Sequence, residues 1–291
     1  MFISGFTIIK NAISRGYPFV ESILSVLPIC DEFIISDGYS NDGTYEFLNE
    51  LKRKFPNKIV LFQDVWKDTR GGKILRDLTT KTMRRCNGEY LFYVQADEVY
   101  HEDVLNEIKN LPSLFSNTEM FLFPRYNFIG PYLTLGKDEK SLSKYCDFEI
   151  RFIKNKSYIK SSGDSWAFSY DLRRLIKKYI LNPKSMRRML LFYTDLNRKY
   201  LYLKYPIFHY HSIFPMNYIE KLKGHKEVYK EREYNILSET KIENYKEFWK
   251  KQIEKIPSDF EEYKGEHPKI MEGILGKLKY KVRESLLKNE S

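Results

Sequence analysis

The chain lacks the long hydrophobic segments that mark membrane proteins. Among its 291 residues there is no apolar run near 18 residues, the length that spans a bilayer. Its first residues lead directly into a strand pattern, without the features of a signal peptide. We therefore expect a cytoplasmic protein, with peripheral contact at the inner face of the membrane as the alternative.

Cysteine and several ligand-binding motifs are also scarce or missing. The three cysteines, Cys30, Cys86 and Cys146, are far apart and have no metal-type spacing, so we expect reduced thiols. No Gly-x-Gly-x-x-Gly follows the first strand, and no Walker-type Gly-Lys-Ser/Thr is present. These two absences argue against a dinucleotide site and against a P-loop.

The net charge of +10 is concentrated in one part of the chain. Residues 171–204 contain ten Lys or Arg against two Asp, a local charge of +8. A basic surface of this kind suits nucleic acid, anionic lipid, an acidic polymer or a nucleoside diphosphate. An ordinary solvated face is the alternative interpretation.

Strand and helix patterns alternate regularly through the first hundred residues. The predicted strands cover residues 2–9, 32–36, 58–63 and 90–94, and the predicted helices cover 17–27, 43–55 and 73–86. Four βα units in sequence predict a Rossmann-like α/β fold, with a doubly wound, mainly parallel sheet.

The fourth strand ends abruptly in an amide and two carboxylates, Gln95, Asp97 and Glu98. Ligands of open α/β sheets bind at the carboxyl edge of the strands, so these acids are expected to face a ligand. Mg²⁺ often bridges protein carboxylates to substrate phosphates. The alternative is that the acids serve the start of the helix that follows.

Other polar residues are predicted near the same edge of the sheet. Asp37 follows the second strand, where its carboxylate could accept the imide N–H of uracil or a ribose hydroxyl. Thr7, at the end of the first strand, could offer backbone groups to a base, and Lys73 could meet phosphate oxygens. Asp42 is better explained as a cap of the next helix.

Several stretches, taken in order, resemble family 2 glycosyltransferases with a GT-A fold. They are the first-strand segment at residues 6–12, the dipeptide Tyr17-Pro18, and the segments 31–35 and 40–44. Gln95-Ala96-Asp97-Glu98 falls where that family has its metal-binding Asp-x-Asp, so this chain has a Gln-x-Asp-Glu variant. The resemblance covers roughly residues 1–225.

The resemblance implies roles for residues of the second half. An aromatic loop at 124–132 would stack on sugar rings, with an aromatic core as the alternative. A strand at 147–153 carries Glu149 and Arg151 on its polar face, and the turn at 161–166 contains Asp164. Asp164 is the preferred general base, because Glu149 could instead be neutralised by Arg151.

The resemblance also implies a set of ligand-binding residues. A divalent metal, Mn²⁺ or Mg²⁺, would be held by the acids of the motif and by one histidine of the His-Tyr-His segment, although these histidines could simply pack against aromatics. The expected metal ligands are Asp97, Glu98, His209 and His211. The expected nucleotide-sugar ligands are Thr7, Asp37, Lys73, Gln95, Asp97, Arg151 and Lys221.

The resemblance thus implies a hexosyltransferase-type enzyme of polysaccharide biosynthesis. It would transfer a sugar, with inversion, from a nucleoside diphosphate sugar to a glycan or lipid-linked acceptor; nucleic acid is not an expected partner. The alternatives are an inactive binding protein for an acidic polymer or nucleic acid, and a metal-dependent nucleotidyltransferase.

We expect a GT-A domain at 1–225, divided at residue 110 into nucleotide-sugar and acceptor halves, with a basic helical segment at 171–204. A helical extension is expected at 226–291.

Overall fold

A computed structural model of the chain describes residues 1–66, 72–129, 134–136, 148–163, 165, 167–174, 199–212, 260–263 and 265–275. The helices are α1 (Phe19–Val26), α2 (Thr44–Lys54), α3 (Lys73–Met83) and α4 (Leu105–Leu114). The strands of the first half are β1 (Ile3–Ile9), β2 (Glu32–Asp37), β3 (Ile59–Gln63), β4 (Tyr90–Tyr93) and β5 (Glu98–Val99). Those of the second half are β6 (Met120–Ile129), β7 (Thr134–Gly136), β8 (Phe148–Lys154), β9 (Ile159–Ser162), β10 (Ala167–Tyr170), β11 (Tyr200–Tyr202), β12 (Ile207–Ser212) and β13 (Phe260–Glu262).

One large sheet organises these elements. Its strand order is β13, β7, β6, β8, β4, β1, β2, β3, with β11 and β12 beside β6 and with β5 beside β12. Strands β4, β1, β2 and β3 are parallel, and β8 runs antiparallel to both β4 and β6. The predicted doubly wound, mainly parallel α/β sheet is therefore confirmed, and each of its antiparallel pairs includes a strand of the second half of the chain.

Helices pack on both faces of the sheet. Successive side chains of a strand point to opposite faces, and each face has its own apolar cluster. Phe33 and Ile35 of β2 belong to a cluster that includes residues of α1, α2 and α4. Ile34, between them, belongs to a cluster on the other face with Met83 at the end of α3. The period of two along β2 thus places the chain's apolar residues in two separate layers of the core.

The start of α2 confirms the structural interpretation of Asp42. The Asp42 carboxylate accepts hydrogen bonds from the backbone N–H groups of Thr44, at 3.1 Å, and Ser14, at 2.8 Å. Burial raises the pKa of Asp42, but these hydrogen bonds lower it more, so the pKa lies below its ordinary value. Asp42 therefore ties the loop after β1 to the helix after β2.

The aromatic loop expected at residues 124–132 is a strand as far as Ile129. Its residues pair with β12, where Tyr126 stands opposite Phe208. Phe128 is fully buried and stacks on Phe208 and Tyr210, with ring centroids 5.7 and 5.2 Å apart. The alternative of an aromatic core is correct for these residues, because alternation along the strand directs them against β12; residues 130–133 lie outside the described part.

The basic segment and the C-terminal tail are described only in part. Residues 172–174 are helical, but the end of the segment expected to be helical forms β11, which pairs with β6. In the tail, β13 pairs with β7, and residues 269–275 are helical. The remaining residues of both predicted segments lie outside the described ranges.

In the part of the chain that is described, no helix has the length and apolar character needed to cross a bilayer.

Replacing Gly88 with alanine should destabilise the protein. An ideal Cβ at Gly88 would lie 2.6 Å from the backbone nitrogen of Ser4 and 2.7 Å from the carbonyl oxygen of Tyr90, two strand atoms that cannot move aside easily. We expect a loss of about 1–3 kcal/mol in the free energy of unfolding, measured by urea denaturation. Gly273→Ala is the matched control, because a Cβ there meets nothing within 4 Å. Equal stability of the Gly88→Ala variant and the parent would contradict the close packing.

Candidate functional site

The candidate site lies at the carboxyl edge of the parallel strands. From β1 the chain proceeds through β2 to β3 on one side, and it then returns to place β4 on the other side of β1. The strand order therefore reverses between β1 and β4, which is the position where open α/β sheets form a ligand crevice. The loops after β1, β2 and β4 border this position.

Asp37 is the last residue of β2 and is completely buried. Its carboxylate accepts hydrogen bonds from the backbone N–H of Ser40 at 3.1 Å, the hydroxyl of Ser40 at 2.5 Å and the side-chain amide of Gln63 at 3.1 Å. A carboxylate can accept about four hydrogen bonds. Asp37 thus fixes the loop after β2, and the one acceptor position that remains on its carboxylate is shielded from solvent in this structure.

Trp66 and Tyr39 border the same loop and were not among the predicted site residues. An ideal Cβ at Gly38 would lie 2.5 Å from Nε1 of Trp66, so the indole packs directly on the backbone after Asp37. The buried Nε1 of Trp66 has no hydrogen-bond partner among the described residues. Tyr39 has a φ of 54° and is 56% exposed. A tryptophan just after the third strand was the only available sequence signal.

Thr7 and Lys73 occupy different environments at this edge. Thr7 lies within β1 and is 1% exposed, and its hydroxyl has no hydrogen-bond partner in the described part of the chain. Lys73 is the exposed first residue of α3. The structure therefore offers the Lys73 ammonium group to solvent at a helix N-terminus, while the Thr7 side chain stays inside the sheet.

Residues 95–98 form a tight turn between β4 and β5. The backbone N–H of Glu98 donates to the carbonyl of Gln95 at 3.1 Å, and the backbone N–H of Gln95 donates to Oε2 of Glu98 at 3.2 Å. The hydroxyl of Ser22 in α1 donates to the carbonyl of Ala96 at 3.0 Å. The turn is therefore stabilised by hydrogen bonds between its own residues and by one from α1.

Asp97 and His209 meet at this turn. Oδ2 of Asp97 lies 3.2 Å from Nε2 of His209, and Nδ1 of His209 lies 2.7 Å from Oδ1 of Asn127. The contact follows from strand pairing, since His209 stands opposite Glu98 in β5 and Asn127 in β6. The structure thus brings together two of the four predicted metal ligands.

The hydrogen bond to the Asn127 amide oxygen selects the tautomer of the His209 ring. The amide oxygen can only accept, so Nδ1 carries the proton and donates it. In a neutral ring, Nε2 then presents a lone pair to the Asp97 carboxylate, which is favourable only when a cation lies between the two groups. Either a proton on Nε2 or a bound metal ion satisfies this requirement. Hydrogen bonding of the distal ring nitrogen to a carbonyl is typical of metal-binding histidines.

Tyr17, in the loop before α1, lies near Asp97 and is hydrogen-bonded to Arg15. Burial and the nearby carboxylate of Asp97 raise the pKa of Tyr17, while the charge of Arg15 and its hydrogen bond to the tyrosine lower it. The sequence had indicated Tyr17 only as the start of a helix, and it had not indicated Arg15. The guanidinium of Arg15 thus adds a positive charge next to Tyr17.

Glu98, Arg151 and Glu149 differ from their predicted roles, because they form a buried row of ion pairs. Both carboxylate oxygens of Glu98 contact Arg151 at 2.7 Å, and Glu149 lies 3.3 Å from Arg151 and 2.8 Å from Arg125. Glu98 and Arg151 are completely buried, and Glu149 is 2% exposed. Glu98 is therefore committed to Arg151 rather than to a metal, and the Arg151 side chain does not face an open crevice.

The charges of this row also affect Arg151 itself. Burial alone would lower the pKa of Arg151, but the carboxylates of Glu98 and Glu149 raise it above the ordinary value. Glu149 has the ion pair with Arg151 that the sequence suggested as the alternative to a catalytic role. A carboxylate held between two guanidinium groups is a poor proton acceptor.

Ser165, the residue that follows Asp164 in the sequence, is hydrogen-bonded to Gln95. Gly163 and Ser165, on either side of Asp164, have positive φ angles of 60° and 76°. The side-chain amide of Gln95 donates to the carbonyl of Ser165 at 3.2 Å, and the Ser165 hydroxyl lies 2.8 Å from that of Thr79. Asp164, Lys221 and the side chain of His211 lie outside the described part of the structure.

Comparisons with known proteins gave distant similarities to solved structures. One is residues 1–349 of TarS from S. aureus, at 16% identity and a TM-score of 0.36, covering 44% of this chain and 36% of that one. The same fragment in complex with UDP-GlcNAc has 16% identity and a TM-score of 0.35, covering 44% of this chain and 35% of that one. The mannosyltransferase PcManGT from Pyrobaculum calidifontis, in complex with GDP-Man and Mn²⁺, has 17% identity and a TM-score of 0.33, covering 42% and 35%.

These matches span only about a third of the length of the solved chains. No protein-family model matches the sequence, and no curated protein matches it either. Similarity at this level does not establish a shared activity, so the function of this chain has to be inferred from the geometry of its own site.

Proposed function

We propose that this chain is a GT-A glycosyltransferase that transfers a sugar from a nucleoside diphosphate sugar to a glycan or lipid-linked acceptor, with inversion. The observation that carries the proposal is the contact of Asp97 with His209, next to the point where the strand order reverses. The resemblance of the sequence motifs to family 2 glycosyltransferases supports it. The nucleoside is proposed to bind at the loop after β2, which carries Asp37 and packs against Trp66.

A divalent metal fits the donor atoms of Asp97 and His209. Carboxylate oxygens are ligands that Mn²⁺ prefers and imidazole nitrogens are common ligands of divalent metals, so Asp97 and His209 would hold such an ion together. When bound, such an ion would neutralise the charge that develops on the departing diphosphate. Arg15, which is hydrogen-bonded to Tyr17, is proposed to hold the same diphosphate by a charge-assisted contact.

Asp164 is proposed as the general base. In an inverting transfer the acceptor oxygen forms a bond to the anomeric carbon while the bond from that carbon to the phosphate oxygen breaks. The base takes the proton of the acceptor hydroxyl, and the diphosphate leaves with the bonding electron pair. The hydrogen bond from Gln95 to Ser165, the next residue after Asp164, supports this assignment because it ties this turn to the site.

A thermal-shift screen of nucleotide sugars, with and without Mn²⁺, tests the proposed function. A ligand that binds the native state at 100 times its Kd stabilises it by about 2.7 kcal/mol. We expect at least one donor to raise the unfolding temperature, and the shift to be larger with Mn²⁺. The absence of a shift with every nucleotide sugar under both conditions would contradict the proposal, and release of pyrophosphate from a bound nucleotide would indicate a nucleotidyltransferase instead.

Replacing Asp37 with alanine should weaken binding of the donor found in that screen by about tenfold or more, since one charge-assisted hydrogen bond contributes about 1.5–3 kcal/mol. Isothermal titration calorimetry measures this. Ser40→Ala is the matched control, because it removes one of the hydrogen bonds to Asp37 but keeps the carboxylate. Unchanged donor affinity in Asp37→Ala would exclude a contact between Asp37 and the nucleotide, and equal losses in both variants would indicate an effect of the loop alone.

A further inference from the structure

We propose that Arg151 is a positioning residue that holds the turn at residues 95–98, and with it the carboxylate of Asp97, in a metal-binding orientation. This inference rests on the proposed function, since it assigns a support to the Asp97 and His209 site. It differs from the contact with the nucleotide sugar that the sequence suggested for Arg151, because the side chain is completely buried.

The contact between Arg151 and Glu98 fixes the Glu98 side chain in one orientation. Nε of Arg151 donates to Oε2 of Glu98, and Nη2 donates to Oε1, both at 2.7 Å. Two parallel hydrogen bonds between a planar guanidinium and a planar carboxylate leave neither group free to rotate. β8 therefore determines where the Glu98 carboxylate lies.

Glu98 transmits this constraint to the turn. Its Oε2, which Arg151 holds, also accepts the backbone N–H of Gln95 at 3.2 Å, and its own N–H donates to the carbonyl of Gln95. Asp97 lies between the two ends of this closed turn. Its carbonyl accepts the backbone N–H of Tyr210 at 2.8 Å, so its backbone is fixed next to β12.

Arginine is required here for a geometric reason. Arg151 also donates from Nη1 to the carbonyl of Ile150 at 3.1 Å, and this nitrogen lies 3.3 Å from Glu149. The guanidinium carbon lies 5.3 Å from the centre of the Tyr93 ring at the end of β4. Only a guanidinium can contact all these partners together, whereas a lysine ammonium presents a single point of charge.

A purely stabilising role would not account for this arrangement. Burying two ions costs several kcal/mol each, and replacing a buried ion pair with apolar residues is often neutral or stabilising. The buried row of ion pairs contains two carboxylates, of Glu98 and Glu149, and two guanidinium groups, of Arg151 and Arg125, so its charges balance. It also connects β8 to the turn. A positioning role explains why these ions meet at Glu98, the residue that follows Asp97 and closes the turn.

The test is the affinity for Mn²⁺ in the presence of UDP or GDP, measured by the loss of the electron paramagnetic resonance signal of free Mn²⁺. Second-shell contacts of metal sites typically contribute 10–100-fold to affinity. We expect Arg151→Lys to weaken Mn²⁺ binding by about tenfold or more, and we expect nucleotide affinity without Mn²⁺ to change by less than about twofold. Glu98→Gln, which keeps an oxygen able to accept from Gln95, should have a smaller effect.

Arg84→Lys is the matched control. Arg84 donates to the carbonyls of Lys156 and Ser157 at 3.0 and 2.9 Å, and also to that of Ile159, away from the turn. This variant should lower the unfolding temperature but leave Mn²⁺ affinity unchanged. If Arg151→Lys does not fold, Glu98→Gln is compared with Arg84→Lys instead, and a loss of Mn²⁺ affinity in Glu98→Gln alone, smaller than about tenfold, is the expected result.

Three outcomes distinguish the inference from the proposed function. A parent protein that binds Mn²⁺, together with folded variants that bind it equally well, would overturn the positioning role alone. A parent protein that binds no Mn²⁺ would remove the metal from the proposed function, and this inference with it. Equal losses of Mn²⁺ affinity in Arg84→Lys and Arg151→Lys would show a general effect of stability and would also overturn the inference.

Discussion

Replacing Asp97 with asparagine is expected to lower the turnover of sugar transfer by roughly a thousandfold. The amide keeps the shape of the side chain but removes the charge that faces Nε2 of His209 at 3.2 Å. Loss of a metal that stabilises a departing diphosphate costs several kcal/mol, and each 1.36 kcal/mol corresponds to a factor of ten in rate. Turnover of the donor identified by thermal shift, at saturating Mn²⁺, measures the effect.

Asp103→Asn is the matched control for Asp97→Asn. It makes the same chemical change at a carboxylate whose side chain is 74% exposed, in the segment that follows the turn. We expect its turnover to equal that of the parent protein. Full activity of Asp97→Asn, or of the parent protein in EDTA, would exclude an essential metal at this site. Lys73 and Arg15 would then be the groups to examine for neutralising the diphosphate.

Asparagine in place of Asp164 should reduce turnover by about 10²–10⁴-fold, because an amide cannot take the proton of the acceptor hydroxyl. Binding of the donor should be unchanged, since the proposed base contacts the acceptor. The two measurements are transfer to the acceptor and donor affinity by calorimetry. Together they separate loss of the base from loss of the nucleotide site.

Glu149→Gln is the necessary comparison for the Asp164 variant. The structure makes a specific prediction for it, because Glu149 lies between Arg125 and Arg151. Removing one partner of a buried ion pair costs about 3–5 kcal/mol, so this variant should be less stable but should retain transfer at low temperature. If a well-folded Glu149→Gln were inactive while Asp164→Asn stayed active, the roles of the two residues would be reversed.

The regular elements of the first half could be predicted because their apolar residues are periodic over five or more positions. The predicted strand at 2–9 corresponds to β1, and the predicted helix at 73–86 begins, as α3 does, at Lys73. The short strands β5, β7, β11 and β13 were not predicted. Each has two or three residues, so none contains a full period of alternation, and each exists only through pairing with a distant strand.

The sequence singled out Asp97 and His209, which the structure brings into contact, through the residues around each of them. Asp97 follows a buried strand and lies in a recognisable motif, and His209 lies in a segment with two histidines. Arg151 and Glu98 were predicted to bind ligands because the sequence does not show that they form a buried ion pair with each other. They are 53 residues apart in the chain. Pairing at this separation depends on the relation of β8 to β4, which no local pattern contains.

Folding of the first half of the chain does not by itself create an active site. Asp97 is followed by β6, β8 and β11 before β12 brings in His209, and Asn127 lies 82 residues from that histidine. Contacts between such distant parts of a chain form late, because long loops must close before they gain any contact energy. Ribosomes add about 5–20 residues per second, so a nascent chain would hold the loops proposed to bind the nucleotide for several seconds before the proposed metal ligands meet. The growing protein is therefore expected to bind a donor before it can cleave one.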